Sequence, residues 1–94
     1  MREITVEEYL VRRVKETGGE VRKVIWPSRR GAPDRLCGWA STKRNGFVEM
    51  KKPGGPGAED HQLREHRRLR AIGFRVDVIH TKEQVDEFVL EMTS

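Results

Sequence analysis

The chain has 94 residues, of which 36% are charged and 35% hydrophobic, a composition that fits one small domain over 1–94 with a thin core and excludes the roughly 18–20 apolar residues of a membrane span. Its one cysteine, Cys37, excludes an internal disulfide and leaves no thiolate pair for structural zinc. The net charge of +4 hides a division: residues 22 to 52 hold nine basic and two acidic side chains, a net +7, whereas residues 81 to 94 come to −3, so one basic middle segment suits a polyanion such as nucleic acid.

The N-terminus, Met1-Arg2-Glu3-Ile4-Thr5, has no apolar signal core, so an intracellular, cytoplasmic location is expected. Thr5-Val6-Glu7-Glu8 reads as a capping box that opens a helix, with Ile4 and Tyr9 placed to staple its first turn. Val6, Tyr9, Leu10, Val11 and Val14 form its apolar face, and Gly18-Gly19 ends it. Glu20 to Trp26 reads as a strand, followed by the basic loop Pro27 to Pro33. Asp34 to Ala40 and Gly46 to Lys51 are two further strands, expected as a hairpin whose turn is favoured by Asn45-Gly46. Pro53 to Gly57 breaks regular structure before a charged helix from about Glu59 to Ile72, with Gly73 as its stop. Phe74 to Ile79 is a last strand, and Thr81-Lys82-Glu83-Gln84 is a second capping box opening a helix with Val85, Phe88, Val89 and Met92 on its buried face. The expected order is αβββαβα.

Chemistry concentrates in the hairpin. Glu49 and Lys51 lie two apart on one strand and share a face, with Val48 and Met50 on the other. A turn centred near residue 43 sets Asp34 opposite the 49–52 region, so two carboxylates converge beside a lysine. Oxygen ligands from Asp34, Glu49 and the Met50 carbonyl suit a hard divalent cation such as Mg²⁺. With Lys51 orienting a water or stabilising the transition state, phosphodiester hydrolysis follows. From spacing alone, a cross-strand salt bridge on a solvated sheet face accounts for Glu49 and Lys51 equally well. The surrounding Phe47, Val48 and Met50 mark a central strand, where charges need a reason.

Gly31-Ala32-Pro33-Asp34-Arg35, then Phe47-Val48-Glu49-Met50-Lys51-Lys52-Pro53-Gly54, then Gln62 in the next helix, resemble the VRR-NUC branch of the PD-(D/E)xK nucleases. The resemblance runs from about Val6 to Val89. It implies an α/β restriction-endonuclease-like fold with a mixed central sheet flanked by helices. It also implies Mg²⁺ or Mn²⁺ dependence and structure-selective cleavage of branched DNA in repair, recombination or phage replication, in a bacterial or phage-infected cell. Stand-alone members of this size are similar to homodimeric Holliday junction resolvases. Carried onto this sequence, the resemblance makes Asp34 and Glu49 metal ligands, Lys51 the catalytic lysine and Gln62 a helper near the metal water.

The family also places a glutamate in its first helix. Glu8 is claimed by the capping box and points away from the apolar stripe, whereas Glu7 lies beside it, so Glu7 is chosen. The alternative for Glu7 is a boundary glutamate favoured by the helix dipole. Gln62 shares a stripe with Glu65, His66 and Leu69 and so faces the sheet, unless it is a surface glutamine on a polar helix. His61 and His66, five apart, diverge around that helix and make no zinc pair; all three histidines are read as structural or phosphate-facing. Arg29, Arg30, Arg35 and Lys52 flank the site and suit DNA phosphates. Trp26 and Trp39 are read as core. A homodimer is expected, since a four-way junction needs two symmetric cuts, with the apolar face of the first or last helix as its interface. No nucleotide cofactor is expected. The rival from another class is a non-catalytic DNA-binding module, and a third possibility is a nuclease that prefers flaps, single strands or RNA.

Overall fold

A computed structural model describes residues 2–94. The chain forms α1 (Val6–Glu16), β1 (Gly19–Lys23), β2 (Arg35–Trp39), β3 (Arg44–Met50), α2 (Asp60–Ala71), β4 (Val76–Ile79) and α3 (Lys82–Thr93). The order is αβββαβα, as the sequence predicts. The four strands lie in the order β1-β2-β3-β4, with β1–β2 and β2–β3 antiparallel and β3–β4 parallel. A parallel pair cannot be joined by a tight turn; here α2 makes the crossover. Among the described residues, no helix is long and apolar enough to cross a membrane.

The first helix starts where Glu8 N–H donates to Thr5 Oγ1 at 3.1 Å. The expected reciprocal half of that capping box is replaced: the Glu8 carboxylate accepts from both terminal nitrogens of the Arg2 guanidinium, at 2.8 and 2.9 Å, and from the Thr5 hydroxyl at 3.2 Å. That pairing pulls Glu8 down to about pKa 2, the Arg2 hydrogen bonds being the largest cause. The box on α3 forms in full, with Gln84 N–H donating to Thr81 Oγ1 and Thr81 N–H to Gln84 Oε1.

Alternation along β3 divides the core between the two faces of the sheet. Val48 packs with Leu10, Val14, Trp39, Val85, Phe88 and their neighbours under α1 and α3. Phe47 packs with Leu69 and Val76 under α2, joined by Val24, Trp26 and Leu36. Trp39 is buried in the first cluster and Trp26 half-buried in the second, its ring 5.3 Å from that of Phe47.

Three expectations are corrected. Asn45-Gly46 is not the hairpin turn: both residues lie inside β3, and the chain reverses over Ala40–Lys43, where Lys43 takes φ 59° and donates its N–H to Trp39 O. Gly46 lies in the strand close against the Arg75 side chain, 3.3 Å from where a Cβ would stand. The expected first strand is shorter, ending at Lys23, although Val24 N–H still reaches Asp34 O at 2.9 Å. The apolar faces of α1 and α3 cannot form a dimer interface, because Val6, Leu10, Val14, Val85, Phe88, Val89 and Met92 are spent on the core.

Candidate active site

The β2–β3 register pairs Arg35 with Val48 and Leu36 with Phe47, so its next step sets Asp34 opposite Glu49. Leu36 and Phe47 pack under α2; by alternation Asp34, Glu49 and Lys51 leave the sheet on that same face. Backbone bonds fix both ends of this row. Asp34 O receives Val24 N–H, and Lys51 N–H donates to Ile79 O at 2.9 Å, extending the parallel ladder beyond β3.

The two carboxylates act on one another. Glu49, with its side chain 12% exposed, is pushed up to about pKa 7, chiefly by burial and next by the Asp34 charge, while Lys51 pulls the other way. Asp34 Oδ1 is buried and has no hydrogen-bond partner; Oδ2 lies 3.3 Å from Arg35 Nη1. A buried acceptor left unpaired costs roughly 1–3 kcal/mol. Two adjacent acids, one with an orphan oxygen, fit a hard cation that takes oxygen donors, and the Met50 carbonyl lies beside them in the chain. Among the described residues no three His, Cys, Asp or Glu side chains group as a metal cage, so any such cation would draw on main-chain oxygen and water as well.

Lys51 is positioned from α2. Its Nζ donates to Gln62 Oε1 at 2.7 Å, and the same oxygen accepts Glu59 N–H at 2.9 Å. Gln62 is therefore both the third residue of the α2 capping box and the anchor of the lysine. Beneath it His66 is fully buried, with Nε2 at 3.8 Å from Glu49 Oε1 and neither ring nitrogen hydrogen-bonded. Burial first, then the charges of Arg70 and Lys51, push its pKa down, so the imidazole is neutral at pH 7. His66 shares the Gln62 stripe in the sequence; its proximity to Glu49 was legible only as that four-residue spacing.

Glu7 and Lys51 line one cleft of about 300 Å³ together with Thr5, Val6, Met50, Lys52 and Pro53. Arg35, expected to meet DNA phosphate, is turned inward with 14% of its side chain exposed, its guanidinium held between Glu7 and Asp34. The acids on each side explain this: a guanidinium there offsets two charges at once. Arg29 ion-pairs with the buried Glu65 at 3.1 Å while remaining half-exposed. Arg30 and Lys52 are exposed, without an acidic partner among the described residues.

No family model matches the chain. A curated relative named "Putative nuclease p44", from Acyrthosiphon pisum secondary endosymbiont phage 1, is 42% identical over 83 residues, covering 88% of this chain and 87% of the relative. A solved structure described as a VRR_NUC domain is 39% identical, with a TM-score of 0.81 over 90% of each chain. On this likeness the chain, with its αβββαβα order and mixed sheet, belongs to the VRR-NUC family of nuclease domains and has their restriction-endonuclease-like α/β fold.

Proposed function

We propose that this protein is a Mg²⁺- or Mn²⁺-dependent endonuclease that hydrolyses phosphodiester bonds in branched DNA, four-way junctions above all, as a homodimer. The observation that carries this reading is the Asp34–Glu49 pair: two carboxylates opposed across neighbouring strands, one with a buried unpartnered oxygen, beside a lysine whose amine is held in place.

Asp34, Glu49 and the Met50 carbonyl would hold the cation. When bound, it supplies a lowered pKa for water and charge to offset the phosphate. The chain's own groups do the rest. Gln62 Oε1 accepts a hydrogen bond from one Lys51 N–H and leaves the others for the water oxygen or a non-bridging phosphate oxygen, where negative charge develops. The water oxygen loses a proton to solvent and bonds to phosphorus, the opposite P–O ester bond breaks, and the leaving oxygen takes up a proton from solvent, so a phosphate monoester and a hydroxyl result. Glu7, across the cleft from Lys51, reaches the same space once Arg35 releases it. Arg30, Lys52 and Arg29 at the rim would fix the backbone without reading sequence.

Substrate panels of junction, flap, single strand and linear duplex, each with Mg²⁺, Mn²⁺, Ca²⁺ or EDTA, test the reading. Junction cleavage with the first two cations alone is expected. D34A and E49A should lose at least about 100-fold of that cleavage with DNA affinity kept, and should lose the rise in Tm that Mn²⁺ gives the parent. Cleavage retained in both variants ends the metal-site assignment, and a parent that binds DNA without cutting any member of the panel favours a binding module.

A further inference from the structure

The α2 helix has two opposed charged faces. Gln62, Glu65, His66 and Leu69 point to the sheet, whereas Arg64, Arg67 and Arg68, at 100° per residue, centre roughly 180–200° away. All three arginines are exposed and, with Ala71, line a shallow groove. Arg64 and Arg67 have no acidic partner among the described residues, and Arg68 has only Glu65, at 3.8 Å with the arginine 62% exposed.

Like charges three and four residues apart on a helix oppose its formation by roughly 0.2–0.5 kcal/mol per pair. A stripe of three arginines is therefore unfavourable for α2 itself, and becomes favourable against a polyanion. Arginine's planar fork also suits phosphate better than lysine's point charge does. Arg64 and Arg68 are ~6 Å apart along the helix axis, a span of about two phosphates at ~3.4 Å of rise per strand.

We propose that this outward stripe is a second phosphate-binding track, holding an arm of the DNA other than the one being cut. Resting on the nuclease reading, it extends that reading to how a branched substrate is selected. The stripe lies a helix diameter, ~10–12 Å, from the face that carries Gln62 to Lys51. The loop on the inner side already supplies Arg29 and Arg30 for the strand in the cleft; its Gly31 is in tight contact with His61 and Gln62. A straight duplex seated on the acid pair meets that loop, and the far side of α2 is reached by a second arm leaving the branch.

The test measures affinity in a cleavage-deficient E49Q background, comparing a four-way junction with a duplex just long enough to cover the acid pair. R64A/R67A/R68A, checked for native circular dichroism, should bind the junction about tenfold more weakly. Its log K against log salt slope should be shallower by about 2–3, one unit per lost phosphate contact. Short-duplex binding should stay within about twofold of the parent, and R64K/R67K/R68K should keep most of the junction affinity. Equal losses on both substrates, or none on either, would overturn the second track. A parent that binds and cuts the junction while the triple variant matches it overturns the track alone; a parent that binds no DNA overturns the nuclease reading itself.

Discussion

Glu49 is subject to opposed influences: burial and the Asp34 charge favour its protonated form, and Lys51 favours the carboxylate. Its native pKa of about 7 lies above the ordinary glutamate value, so between about pH 4.5 and 7 the folded protein binds more protons than the unfolded chain. Stability contributed by this site is complete below that window and is lost as pH rises through it. The loss is on the order of 3 kcal/mol, because each tenfold change in proton affinity is worth about 1.4 kcal/mol. Urea unfolding in EDTA should therefore show E49Q gaining on the parent by about that amount between pH 4.5 and 7.5; a difference independent of pH would mean that neither burial nor the Asp34 charge raises Glu49 in the folded chain. The paired carboxylates were legible in the sequence because period-two alternation and a hairpin suffice to oppose residues 34 and 49. The inward turn of Arg35 was not, because it depends on Glu7, which reaches the same place from a helix 28 positions away in the chain.

At the scale of elements, α2 and the loop before β2 hold the lysine in place together. Gly31 has φ +83°, and a Cβ there would lie 2.9 Å from the His61 carbonyl and 3.0 Å from Gln62 Cα, backbone that cannot step aside. Gly31→Ala should cost about 1–3 kcal/mol in urea unfolding. It should also slow cleavage by more than the unfolded fraction accounts for, because the loop displaces Gln62 and with it Lys51. Wild-type turnover per folded molecule would show that this contact does not position the amine. Elements with repeated, consistent signals were readable: the helix starts at Thr5 and Thr81 and the split of Phe47 from Val48 follow from local pattern. The hairpin turn was not. Asn-Gly carries a strong local preference, but both residues are taken into β3, where Gly46 lies close against Arg75, a neighbour from another strand's approach that is invisible locally.

For the whole molecule, the decisive fact is that α1 and α3 cover one face of the sheet while α2 crosses the other and completes the site. One chain presents one pair of opposed acids, and a symmetric junction offers two equivalent strands. Two cuts therefore call for two copies related by a two-fold axis. Since the apolar faces of α1 and α3 are consumed by the core, the proposed dimer would use other surface. What α1 and α3 leave outside is largely polar, with Leu90 the large apolar exception at 67% exposure. In the proposed dimer the contact would be modest, and its dissociation should depend on concentration and salt. Sedimentation from low to high micromolar protein should show a species of about twice the single-chain mass growing in, stabilised by junction DNA. A boundary that stays at the 10.9 kDa of one chain, with junction bound one to one, would require the two strands to be cut in separate encounters. Nicked junctions would then accumulate as intermediates in the cleavage time course, whereas the dimer predicts paired cuts with few of them.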